Sequence, residues 1–267
     1  MADNLNLTKP ERPYYYIYER KWYYGSLPMF YNSDEIPGLN KLVENYDIIK
    51  GEILDYYAKY GSKIKPNFSP YAYGVPGWRT VDLYSYSIRY KNNCVFFPKT
   101  TEIVQQIPGM CGAQIAVLLP HTYIKGHFGD TSVIIRNHLG IVIPGTLPQL
   151  GLRVKNKDIC WQEGKVFSFN PVHRHCAWNF TDSIRIQFQV DVLRPEYRNR
   201  RFLISGLSLA SMATKFLAVK SKFLRRMPKP IVFLTHRTIG LCFAFLLWFQ
   251  VKTNTNMSEF FSSIKER

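Results

Sequence analysis

Residues Ser183–Val192 read SIRIQFQVDV, and this stretch decides the fold class. Successive side chains of an extended chain point to opposite sides, so Ile184, Ile186, Phe188, Val190 and Val192 share one face. Arg185, Gln187, Gln189 and Asp191 share the other. Ser132–Ile143, SVIIRNHLGIVI, is a longer β run, and Ala113-Ile115-Val117 and Lys165–Phe169 are shorter ones. Pro144-Gly145, Gly151, Gly164 and Pro171 mark turns between them. Several strands with almost no helical pattern between residues 110 and 195 predict a mainly β domain, a sandwich or jelly roll.

Upstream, residues 1–75 are expected to pack on that domain as an aromatic-rich strap (Tyr14, Tyr15, Tyr16, Tyr18, Trp22, Tyr23, Tyr24) and a helix. Leu39, Leu42, Val43, Tyr46, Ile49, Ile53, Leu54 and Tyr57 recur every three to four residues, with Gly61 as a stop. Residues 62–78 read as a loop, and the two-residue period begins near Asp82. The start of the chain has neither the basic nor the apolar region of a signal peptide. The β domain is expected over residues 76–197 and a basic, apolar helical tail over 198–267.

Charge separates these regions. The chain of 267 residues carries 35 Lys and Arg against 19 acids, a net +16. From Tyr197 onward there are 13 basic and 2 acidic residues, against 22 and 17 before it. A body so nearly neutral excludes a uniformly basic nucleic-acid-binding domain. Five cysteines without a CxxC pair indicate neither a disulfide framework nor a zinc knuckle, and fit reduced thiols in the cytoplasm. In the tail, Phe202–Thr214 is uncharged. The apolar run Thr238–Val251 is ~21 Å as a helix, short for a bilayer core of ~30 Å. Two readings stand: helices lying in a membrane surface with basic residues toward anionic headgroups, or helices docked on the body or a partner subunit.

The chemistry-bearing residues cluster in the β region. His121, His127, His138, His173 and His175 lie in or beside it. Arg136 and His138 are two apart on a strand and so face the same way. Arg185 lies on a polar strand face, where it pairs with Asp191 or a loop acid, or else wants an anionic ligand such as a carboxylate. His173 and His175 form an HxH pair that is itself a candidate metal site. Each histidine also has a plain structural reading.

The stretch LLPHTYIKGHFGDTSVIIRNHLGIVIPG, followed by WQEGKVFSFN, HRHCAWN and RIQFQVDVLRPEY, resembles the aspartyl/asparaginyl β-hydroxylase family over about residues 76–197. The resemblance implies a double-stranded β-helix and an oxygenase using Fe(II), 2-oxoglutarate and O2. On it, His127 and His175 are the iron ligands and Arg136, His138 and Arg185 hold 2-oxoglutarate. Gly129 stands where most such oxygenases place a carboxylate ligand, which this family lacks. Asp130 reads as a turn residue. Ala116 replaces a family serine that touches the cosubstrate, and His173 takes a usually apolar position. The family's substrates imply a lipid acyl chain, as in lipid A, or Asp/Asn side chains in a peptide. The basic tail favours the lipid, at the cytoplasmic face of a membrane. A catalytically inert, membrane-tethered binding module is the contrasting expectation.

Overall fold

The computed structural model describes residues 12–17, 23–67, 75–221 and 226–255. Tyr18, Trp22 and the tail from residue 256 on therefore lie outside the described residues.

The decisive stretch becomes the central strand of the larger sheet. The strands are β1 Phe30–Tyr31, β2 Trp78–Ser85, β3 Ile88–Arg89, β4 Met110–Leu118, β5 Thr122–His127, β6 Ile134–Val142, β7 Leu150–Val154, β8 Lys157–Ile159, β9 Val166–Phe169, β10 His175–Asn179 and β11 Arg185–Leu193. A seven-stranded sheet runs β1-β9-β6-β11-β4-β2-β3, and a four-stranded sheet runs β5-β10-β7-β8. The two lie face to face as a jelly roll, the double-stranded β-helix expected.

The alternation in β11 sorts as read. Ile186, Phe188, Val190 and Val192 are fully buried. They pack in one core with Leu42, Ile49, Ile53, Phe97 and Val104 from the helices behind the sheet. Burying each such side chain contributes ~1.5–3 kcal/mol. The polar face, Arg185 to Asp191, turns inward to the second sheet. A separate core of Leu118, Ile124, Leu152, Trp161, Phe169 and Ala177 lies there.

The helices differ more from expectation. The single helix predicted over 39–57 is two, α1 Asn40–Glu44 and α2 Tyr46–Tyr60. They separate at Asn45, whose backbone leaves the helical region (φ −110°, ψ 24°). Two helices carry no clear sequence signal, α3 Lys91–Cys94 and α4 Pro98–Gln105. In α4 the buried face includes Thr100 and Thr101, so no apolar period shows. Its first turn is capped from outside, the Glu52 carboxylate accepting from the Lys99 and Thr100 amides at 2.9 and 2.8 Å.

The tail forms α5 Arg201–Lys220 and α6 Lys229–Thr253. Gly206 faces Gly240 and Ala244, and Ser211 faces His236, so the pair is an antiparallel hairpin. A Cβ on Gly206 would come within 2.3 Å of the Gly240 carbonyl oxygen. The hairpin docks on the body: Ile204, Leu209 and Leu247 join Tyr86, Cys111, Ile134, Leu193 and Tyr197 in one core. Ser205 and Ser87 share a hydroxyl hydrogen bond of 3.0 Å. At 25 residues, α6 is long and apolar enough to cross a bilayer by length and composition, longer than the 14-residue run suggested. His236 and Arg237 do not interrupt it, because His236 is buried against Ser211 while Arg237 points outward.

Candidate functional site

β5 and β10 are antiparallel neighbours with His127 directly opposite His175. The ring centroids are 4.3 Å apart. Each Nδ1–H donates to a backbone carbonyl two residues earlier, His127 to Lys125 and His175 to His173, both at 2.8 Å. That fixes the tautomer and leaves each Nε2 with a lone pair, the arrangement in which histidine binds a metal. Burial keeps both rings neutral, with Arg136 adding to the effect: His127 is pushed down to about 4 and His175 well below its ordinary value. Among the described residues no cluster of three His, Cys, Asp or Glu side chains forms. A carboxylate at position 129 has no room, since a Cβ there would lie 2.8 Å from the Pro171 carbonyl oxygen.

His173, the alternative ligand, is two residues from His175 but outside the strand. Its Nε2–H donates to the Leu27 carbonyl at 2.9 Å, and its ring meets Tyr23. The HxH pair therefore does not converge. His121 is exposed and pairs with Asp182.

Further along the inner face lies Arg185, 2% exposed. Its guanidinium sits 4.5 Å over the Trp161 ring, and one Nη donates to the Ala116 carbonyl at 3.3 Å. Its Nε is buried with no partner. Asp191 does not supply one: six residues apart on a strand is ~20 Å. Burial without an acid lowers the pKa of Arg185 to about 9. A buried cation so placed wants an anion, and a guanidinium fits a carboxylate in a two-point fork.

His138 and Arg136 sit on the same face but are already engaged. Trp161 Nε1–H donates to His138 Nδ1 at 3.2 Å, so the His138 proton lies on Nε2, where the Gln187 side-chain amide 3.2 Å away accepts it with its oxygen turned toward the ring. Arg136 forms a bidentate pair with Asp191 at 2.9 and 2.8 Å, which leaves Nη1 unspent. The alternation puts Asp191 on the inner face, but its pairing with Arg136 rests on the register between β6 and β11. The parts of Trp161 and Gln187 depend on inter-strand fits in the same way.

His127 opens onto a cleft whose walls include Asp82, Gln114 and Gln189 from the body and Met212 and Lys215 from α5. Lys215 Nζ lies 2.8 Å from Asp130 Oδ1 and 4.6 Å from the centre of the Tyr16 ring. Tyr86 donates to the other Asp130 oxygen. The aromatic strap grips the same loop, with the Tyr16 amide donating to the Asp130 carbonyl and the Tyr16 ring stacked on Phe128 at 5.3 Å. Asp130 is thus more than a turn residue: it ties strap, loop and tail together. No local signal marks Lys215, which lies 85 positions from its partner.

The family model for aspartyl/asparaginyl beta-hydroxylase matches residues 43–195. The chain belongs to this family. The match takes in both histidines, Arg136, His138 and Arg185, and ends before the hairpin. An ornithine lipid ester-linked acyl 2-hydroxylase of Rhizobium tropici is 28% identical over 196 residues, 71% of this chain and 69% of that protein. The human aspartyl/asparaginyl beta-hydroxylase is 32% identical over 45% of this chain, which spans only 16% of the human protein's length. Among solved structures, a Pseudomonas putida prolyl-4-hydroxylase covers 56% of this chain and 87% of its own, at 12% identity and a TM-score of 0.38. A likeness that distant carries no weight for activity. This β-hydroxylase-family chain is thus similar both to a relative named for a lipid acyl chain and to one named for aspartyl and asparaginyl groups.

Proposed function

We propose that this chain is an Fe(II)- and 2-oxoglutarate-dependent hydroxylase acting on the acyl chain of a membrane lipid at the cytoplasmic face of a membrane. The single observation that carries the reading is the pairing of two imidazoles, directly opposite each other and each oriented by a backbone carbonyl at Nδ1, with a buried guanidinium that has no acid. His127 and His175 would hold the iron. Arg185 would take the far carboxylate of 2-oxoglutarate, with Arg136 Nη1 and His138 flanking the rest. When bound, iron and 2-oxoglutarate supply the oxidising power that puts one oxygen atom of O2 into a C–H bond, with release of succinate and carbon dioxide.

The chain's own part is positioning and exclusion of water. The carbonyls of Lys125 and His173 aim the two rings. Phe169 and Trp78 flank them at ring-centre distances of 5.5 and 6.0 Å. Trp161 covers the guanidinium. Asp191 holds the Arg136 fork at the mouth of the cleft.

The lipid reading draws on the extent of the bacterial acyl 2-hydroxylase match, which spans most of this chain, and on the exposed apolar tail. Hydroxylation of Asp or Asn side chains in a peptide is the second reading, and the acidic and amide lining of the cleft favours a polar group there. Succinate release by the purified chain with Fe(II), 2-oxoglutarate and O2 tests the oxygenase. Mass spectra of lipids and of proteins from cells with and without the chain then separate the substrates. A +16 Da shift confined to lipid acyl chains is expected. A shift confined to Asp or Asn residues selects the second reading, and no succinate release leaves the inert binding module.

A further inference from the structure

The hairpin has two sides. On the inner side α6 is fixed to the body along its length. The His236 ring meets the Tyr15 ring of the strap at 5.5 Å between centroids, and Gln250 donates to the Ser87 carbonyl at 3.1 Å while accepting from the Arg89 amide. Lys91 reaches the Asn254 carbonyl just past the helix. From His236 to Gln250 is ~21 Å of helix. A helix whose flank is held by a water-soluble domain over that length cannot also be surrounded by hydrocarbon.

On the outer side, Leu234, Leu241, Phe245 and Trp248 fall within one arc at 68, 59, 61 and 45% exposure. Their spacing of seven, four and three residues is that of a helix face. Arg237 and Lys252 share the arc, and no acidic residue occurs from Tyr197 to Ser258. At the C-terminal end of α6, on the flank where Gln250 meets the body, exposed Val251 borders a pocket with Arg89, Lys91 and Arg201 in its wall and no acid. The Arg89 Nε there is buried without a partner. Arg89 and Arg201 in one pocket wall at the end of an apolar helix, with Lys91 bonded to the Asn254 carbonyl beside them, match the charge and layering of a bilayer surface, with acyl chains under phosphates. A second copy of this chain would meet the same cations with its own.

We propose that α6 is an in-plane membrane helix. Its Leu234–Leu241–Phe245–Trp248 face lies in the acyl-headgroup boundary of an anionic bilayer, and the Arg89–Lys91–Arg201 pocket takes a lipid headgroup phosphate. This rests on the membrane-lipid reading for its purpose, and binding is measured without turnover, so docking and substrate choice fail separately. Because α5 lines the cleft at Met212 and Lys215, docking sets the cleft one helix away from the bilayer.

Full-length protein is co-sedimented with vesicles of phosphatidylcholine alone and of phosphatidylcholine with phosphatidylglycerol. Wild type should prefer the anionic vesicles, with a blue shift of Trp248 fluorescence that Trp248→Phe removes. Leu241→Glu/Phe245→Glu should lower partitioning at least 10-fold on anionic vesicles and abolish the shift. Arg89→Gln/Arg201→Gln should lower anionic partitioning about 10- to 30-fold, at ~1 kcal/mol per charge near the surface, and leave neutral-vesicle binding unchanged. Unaltered circular dichroism and melting show that the variants fold. Displacement by millimolar inorganic phosphate in place of vesicle preference would make the pocket a free-anion site and overturn its lipid assignment. Binding unaffected by Leu241→Glu/Phe245→Glu would overturn the docking face. So would a dimer that this variant dissolves together with absent vesicle binding.

Discussion

Two deeply buried cations, Arg185 and Lys215, are accommodated differently. Arg185, on the inner face of β11, has an aromatic ring over it, one carbonyl, an orphaned Nε and no acid. Lys215, on α5, has Asp130 at 2.8 Å and the face of Tyr16. An unpaired charge in an apolar interior is costly and persists where something outside the fold completes it. A paired one is complete within the fold. Arg185 therefore reads as a ligand-binding group, and Lys215 as the rivet between tail and cleft loop.

The comparison breaks first at the histidines, where the largest effect is expected. His127→Ala or His175→Ala should each reduce Fe(II) or Mn(II) affinity more than 100-fold and abolish succinate formation, as followed by calorimetry and coupled turnover. His173→Ala should leave the metal stoichiometry at one, because that ring serves the strap. Retention of full metal binding in His175→Ala would reverse these two roles.

Arg185→Ala should raise the 2-oxoglutarate dissociation constant roughly 10- to 150-fold, the loss of a charge-assisted pair of ~1.5–3 kcal/mol. The apo protein should melt no lower, since the substitution removes a cation that the fold leaves unpaired. A large drop in melting temperature with unchanged 2-oxoglutarate binding would make Arg185 structural. Lys215→Met should behave in the opposite way. It strands Asp130 with Tyr86 alone at a cost of ~1–3 kcal/mol, seen as a lower melting temperature. The 2-oxoglutarate dissociation constant should stay within about twofold. Lys215→Arg should recover part of the stability.

The two regions were also unequally legible. Strand alternation places Arg185 and Asp191 on the inner face because a period of two leaves no freedom once one face is buried. The fold class and the facing of β11 follow from that alone. The facing of His127 and His175, 48 positions apart, rests on register between β5 and β10, which no local pattern carries; resemblance to the family supplied it. The expected 2-oxoglutarate set divides for the same reason. Arg136 and His138 share a face with Arg185, as their spacing says, yet Asp191 and Trp161 already occupy part of their bonding capacity. In the tail, hydropathy shows apolar helices but not which side meets the body. Gly206 against Gly240 and Lys215 against Asp130 are long-range fits, and the buried threonines of α4 hide a helix for the same lack of a local period.

The smallest effect is with pH, and it sharpens what the fold does for the two imidazoles. A free imidazole titrates near 6.5 and is increasingly lost as a ligand below that. His127, held down to about 4 by burial and by the nearby Arg136, stays neutral well under that value, and burial holds His175 well below its ordinary value too. Mn(II) affinity should therefore change little between pH 8 and 6, and a steep fall across pH 7 to 6 would show that the rings titrate as if exposed. The same depression has a cost with a definite sign. Between ~6.5 and about 4 the unfolded chain binds protons that the folded rings refuse, so stability is fully present above ~6.5 and declines as pH falls through that window. Urea midpoints of the metal-free protein should drop from pH 7 to pH 5 by more than those of His127→Phe, which has one such ring fewer to keep neutral. Equal slopes for the two would mean that His127 is not held neutral by the fold, and the preorganised pair would reduce to His175 alone.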